Sequence, residues 1–140
     1  MNDTPAPQAA LHHVAITTAD LEASRRFYRD ILGLKEIERP NFTFPGVWYD
    51  LGATTLHLIQ YPKGTRRTGR PVDSWDCHFA LRMASYRGTL AALAKNGYSA
   101  DLDAADPRKI DLFTDAGFPQ IFLLDPDGNV VELNAASADS

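Results

Sequence analysis

Three histidines and one glutamate have the types and the setting for metal chemistry. His13, His57, His78 and Glu132 each lie where apolar side chains alternate with polar ones: His13 before Val14, His57 between Leu56 and Leu58, His78 between Cys77 and Phe79, Glu132 between Val131 and Leu133. Side chains alternate across a strand, so the apolar neighbours pack beneath helices and the four polar groups take the other face. Taken singly, an inward histidine on a strand is commonly a hydrogen-bonded core or cleft residue, and Glu132 fits a charged residue on an open sheet face. Together they point elsewhere. A buried carboxylate and several desolvated imidazoles each cost free energy unless something compensates, and one divalent cation compensates all four. Neutral nitrogen and hard oxygen donors suit zinc, iron, manganese, nickel or cobalt. His12 competes for the place on the first strand, but its parity groups it with Val14, so His13 is preferred.

These donors need strands to hold them, and the apolar period supplies strands twice. Leu11 to Thr18 alternates as a strand; Asp20 is an N-cap for a helix carrying Leu21, Phe27, Ile31 and Leu34 inward, and Gly33 stops it. Strands are expected at 35–39, 47–51 and 54–61. After a Pro- and Gly-punctuated linker at 62–73, a second pass begins. A strand at 75–81 is followed by a helix capped by Ser85 and ended at Asn96-Gly97, then by strands at 98–102, 119–124 and 129–134, with 103–116 as a polar loop. Asp125-Pro126-Asp127-Gly128 is a hairpin turn. The order βαβββ therefore occurs twice, with His13 and His78 in equivalent places. The expected fold is α+β, with two paired βαβββ modules forming an open curved mixed sheet around a metal cleft. The first module is 11–61 and the second 74–135; residues 1–10 and 136–140 are tails.

Length and composition limit the function classes. The chain has 140 residues, 44% of them hydrophobic, which suits one globular domain with a core. Its formal net charge is −4, from 14 basic and 18 acidic residues. Nucleic acid is therefore an unsuitable main partner: the basic cluster Arg66, Arg67 and Arg70 is small and reads as a solvated loop. No run of about 18 apolar residues is present to span a bilayer, and the start of the chain lacks a secretory pattern. The single cysteine, Cys77, excludes an internal disulfide and a Cys-x-x-Cys site, and its parity with Phe79 turns it away from the donors. A soluble, unprocessed cytoplasmic protein is expected.

The opening Leu11-His12-His13-Val14-Ala15-Ile16, with Asp20-Leu21 and Phe27-Tyr28-Arg29-Asp30-Ile31-Leu32-Gly33-Leu34, resembles the first strand and helix of the vicinal oxygen chelate superfamily. That superfamily includes glyoxalase I, methylmalonyl-CoA epimerase, fosfomycin-resistance thiol transferases, bleomycin-resistance proteins and extradiol dioxygenases. The closing run from Asp125 to Leu133 is similar to its other signature, and the segments 39–49 and 56–60 look like a glyoxalase-like subgroup. The resemblance implies metal ligands at His13, His57, His78 and Glu132, the residues that parity selects, with one divalent ion per site. It also implies a homodimer, commonly with the cleft built from the first module of one chain and the second of the other.

His57 departs from the pattern, since glyoxalase I typically carries Glu there and the epimerases often Gln. A neutral ligand at 57 leaves Glu132 as the one carboxylate able to move a proton, and gives the centre a single positive charge that favours an anionic oxygen. The leading expectation is a metal-dependent lyase or isomerase whose small substrate chelates through neighbouring oxygens and passes through an enolate-like state. An extradiol-type dioxygenase, an antibiotic-modifying thiol transferase and a non-catalytic small-molecule binder are the alternatives. Residues expected to line the cleft are Trp48, Tyr49, Gln60, Arg82, Gln120 and Phe122, with Arg82 a clamp for a carboxylate or phosphoryl group.

Overall fold

The computed structural model describes residues 3–140; Met1 and Asn2, part of the expected N-terminal tail, lie outside the described residues. The βαβββ order appears twice. The first unit holds β1 (His13–Thr18), α1 (Leu21–Arg25) continued by a π-helical stretch (Arg26–Ile31), β2 (Glu36–Ile37), β3 (Gly46–Asp50) and β4 (Thr55–Gln60). The second holds β5 (His78–Arg82), α2 (Tyr86–Lys95), β6 (Asp111–Phe113), β7 (Gln120–Leu124) and β8 (Val130–Asn134). Each unit forms its own four-stranded mixed sheet, in the orders β1-β4-β3-β2 and β5-β8-β7-β6, with β1 parallel to β4 and β5 parallel to β8.

The helices begin and end where their caps dictate. Asp20 Oδ1 accepts from the Glu22 and Ala23 amides at 3.1 and 3.2 Å, satisfying two donors that the first turn of α1 leaves free. Beyond Arg25 the helix widens: the Leu32 amide reaches back five residues to the Phe27 carbonyl at 3.0 Å. Phe27 and Tyr28 are consecutive yet both buried, packed edge to face with centroids 4.8 Å apart. Gly33 follows with φ of 76°, the left-handed turn that ends the helix. Ser85 caps α2 through the Gly88 amide at 2.9 Å.

The expected sixth strand is misplaced. Residues 98–102 form a turn joined to 109 by one isolated bridge, and the strand lies at Asp111–Phe113, inside the expected loop. The reason is tertiary. β7 offers an open edge to which 111–113 is delivered, pairing Asp111 with Phe122 and Phe113 with Gln120, whereas Tyr98 and Ala100 pack against the core. β5 starts at His78 rather than at 75, and Trp75 is exposed in the turn before it.

One core serves both sheets. Tyr49, Leu56 and Leu58 of the first sheet meet Leu81, Ile121, Leu123, Val131 and Leu133 of the second, with Phe27, Tyr28, Leu32 and Leu93 from the helices. Each such side chain contributes about 1.5–3 kcal/mol by leaving water. In both sheets these are the side chains opposite in parity to the four candidate donors. The core therefore consumes one face of each sheet and leaves the donor faces pointing away from it.

Candidate metal centre

On the first sheet, pairing sets the donor face. His13 stands opposite Thr55, His57 opposite both Ala15 and Trp48. The imidazoles of His13 and His57 stack with centroids 4.4 Å apart, and the Trp48 indole covers the other face of His57 at 4.0 Å, nearly parallel at 4°. His57 Nε2 lies 2.8 Å from the Thr55 hydroxyl, and His12 Nδ1 lies 2.9 Å from His13 Nδ1. Burial, then the nearby His13, His12 and Arg39, hold the His57 pKa below the ordinary 6.5. At neutral pH the ring is uncharged, the state a metal ligand requires.

The second sheet brings His78 and Glu132 together on β5 and β8, with His78 Nε2 3.5 Å from Glu132 Oε1. His78 Nδ1 lies 2.7 Å from the Asp76 carbonyl, which can only accept, so Nδ1 carries the proton. In the neutral form of the ring, Nε2 presents a lone pair to the carboxylate. Two acceptors facing each other repel unless a proton or a cation lies between them, and 3.5 Å is a gap that two bonds of about 2.0–2.2 Å to one ion can span. Glu132 is 6% exposed, and both of its oxygens are held: Gln120 Nε2 donates to Oε1 at 3.1 Å and Asn134 Nδ2 to Oε2 at 2.5 Å. Asn134 turns its own oxygen to Arg82, whose Nε donates at 2.6 Å, and Phe118 lies beneath that guanidinium. The chemistry and orientation of these donors fit a divalent cation.

The four donors stand as two pairs rather than one cluster. Among the described residues no group of three or more His, Cys, Asp or Glu is placed to hold a metal ion within the chain. Of the expected lining residues, Trp48 stacks on His57, Phe122 packs edge to face on His78 at 5.2 Å, and Gln120 and Arg82 join the Glu132 network. Tyr49 and Gln60 face the other way, a correction that follows from their parity with Leu56 and Leu58. Tyr49 is wholly buried in the core, its pKa pushed up to about 12 by burial, and the Gln60 side-chain oxygen accepts from the Leu21 amide at 3.1 Å as a helix cap.

Residues that sequence reasoning did not single out are Asn134 and Thr55. Asn134 carried a signal, standing two residues beyond Glu132 on the same face. Arg66 and Arg67 are drawn in rather than solvated: their Nε atoms bind Asp127 at 3.1 Å and Asp76 at 2.6 Å. With Arg70 they border a cavity of about 430 Å³ beside the 125–128 turn, lined by none of the four donors, where the arginine charges are already met by carboxylates.

Duplicated βαβββ units with paired His and carboxylate donors on matching strands define a class of fold, and residues 10–133 match the family model for the Glyoxalase/Bleomycin resistance protein/Dioxygenase superfamily. The chain belongs to that superfamily. It is 28% identical over 128 residues to the uncharacterized protein YwkD of Bacillus subtilis, covering 89% of this chain and 94% of that one. The fold matches a glyoxalase/dioxygenase structure from Nostoc punctiforme with a TM-score of 0.67 at 22% identity, over 100% of this chain and 99% of the other. It also matches lactoylglutathione lyase from Agrobacterium tumefaciens with a TM-score of 0.62 at 20% identity, over 92% and 95% of the two chains.

Proposed function

We infer that this chain is a divalent-metal-dependent enzyme of the glyoxalase-like lyase or isomerase type, with His13, His57, His78 and Glu132 as ligands. The observation that supports the reading is the His78 and Glu132 pair: Nδ1 anchored on the Asp76 carbonyl leaves Nε2 turned to a buried carboxylate 3.5 Å away. Because each module offers two donors on the face turned from the shared core, the full set of four is supplied by two copies, His13 and His57 of one chain meeting His78 and Glu132 of its mate. A bound dication supplies Lewis-acid stabilisation of negative charge developing on a substrate oxygen.

The protein's own groups do the rest. The Glu132 carboxylate would take a proton from the carbon beside the substrate's paired oxygens and return it to the neighbouring atom. Gln120 and Asn134 keep the carboxylate aimed while it does so. His57, neutral and clamped between two rings, keeps its donor geometry without rearrangement. Arg82 and Trp48 border the substrate, the first with charge and the second with an apolar face.

The test is a panel of small 2-oxo and 2-hydroxy compounds, assayed with metal-loaded protein and with Glu132→Gln. Turnover is expected to fall by about 10²–10⁴-fold in the variant, while elemental analysis still finds bound metal. Undiminished activity in Glu132→Gln removes the proposed base. A wild-type protein with no affinity for zinc, nickel, cobalt, manganese or iron removes the whole reading.

A further inference from the structure

Beside the His13 and His57 pair the loop before β3 builds a feature that the metal reading does not use. Phe42 and Phe44 stack with centroids 4.9 Å apart at 14°, and both are partly open to solvent at 43% and 41%. The Arg39 guanidinium carbon lies 4.7 and 4.8 Å from their centroids, and its NH2 group donates to the Phe44 carbonyl at 2.9 Å. Phe42 also lies 6.3 Å from Trp48, the ring stacked on His57. Gly46 makes this possible: a Cβ there would stand 2.5 Å from the Leu58 carbonyl and 2.9 Å from the Arg39 guanidinium.

Arg39 has no carboxylate within ion-pair distance among the described residues, unlike Arg25, Arg29, Arg66 and Arg67. Exposed aromatic faces attract flat apolar groups, and a fixed, unpaired guanidinium attracts an anion, preferably a carboxylate.

We propose that Arg39, Phe42, Phe44 and Trp48 form a specificity shelf for a planar aromatic group bearing a carboxylate, so that the substrate of the His57 site is an aryl 2-hydroxy acid or an arylmethyl 2-oxo acid, each with a C–H beside its oxygens. The assignment of the substrate rests on the metal reading. The shelf itself does not, so its test uses metal-free protein and its failure is separable from failure of metal binding.

The chain has two tryptophans, so Trp75→Phe leaves Trp48 as the single indole reporter. Full-length nitrogen-15-labelled protein stripped with EDTA is titrated with benzoylformate, with pyruvate and methyl benzoylformate as controls. Benzoylformate should shift the Trp48 indole N–H resonance saturably, with a dissociation constant about tenfold below that of pyruvate. Arg39→Gln should raise the benzoylformate constant about five- to tenfold and leave that of the ester within about twofold. Equal constants for benzoylformate and pyruvate, an unmoved indole signal, or an equal effect of Arg39→Gln on acid and ester each overturn the proposal. Should Arg39→Gln fail to fold, ~0.5 M salt takes its place: it must weaken the acid and spare the ester, and equal weakening overturns the proposal.

Discussion

Glu132 owes its aim to two amides, and Asn134 is the stronger of the two, bonding Oε2 at 2.5 Å while its oxygen restrains Arg82. Partners of this kind set the orientation of a metal ligand and typically alter affinity by about 10–100-fold when removed. Asn134→Ala is expected to weaken zinc or nickel binding by at least about tenfold, measured by competition with a chelator, while leaving the His13 and His57 stack untouched. Unchanged affinity would show that Asn134 only fills space. At this level the strand period was informative: the alternation that turns His57 outward also turns Gln60 inward three residues on, and places Asn134 beside Glu132. Arg39 carried no such signal, because its position depends on an irregular loop and on the missing side chain at Gly46.

Elements from the two modules are clasped at the turn after β7. Asp125 is buried and accepts from the Tyr28 hydroxyl at 2.7 Å, across 97 residues of sequence, and from the Asp127 and Asn129 amides. Asp127 accepts from the Ala19 amide at 2.9 Å and from Arg66. Removing the carboxylate orphans several buried donors, so Asp125→Ala should cost about 3 kcal/mol in urea unfolding. Burial pushes the Asp125 pKa above the ordinary 3.8 despite these donors. Its folded form therefore binds a proton that the unfolded chain has lost, so its contribution is fully present below pH 3.8 and fades as pH rises through the native value. Asp125→Asn should remove that dependence, seen as a flatter stability profile in the acid range; an unaltered slope would place the titration elsewhere. The turn itself was readable from Asp-Pro-Asp-Gly. Its reach to Tyr28 was not, since nothing local ties two positions so far apart, and β6 escaped notice for the same reason.

For the molecule as a whole, the repeat of βαβββ could be read from the order of periods, and the choice of donor face from parity. The placement of one module against the other could not, because it is decided by which apolar faces merge into the shared core. That merger underlies the prediction that two chains complete each centre. Equal mixing of His57→Ala and Glu132→Ala proteins, after exchange of subunits, should restore about one quarter of the intact metal sites, since a mixed pair has one complete site and one that lacks both ligands. Recovery of none, with exchange shown by mass-tagged subunits, would locate all four ligands in one chain.

The strand orders put β1 and β5 at the margins of their sheets, and these strands begin with His13 and His78. A marginal strand offers a row of backbone donors and acceptors to any passing ribbon. The His13 and His78 imidazoles thus sit on two of the four border ribbons, so a second copy seated there would shield those borders and gather the proposed donors by the same act.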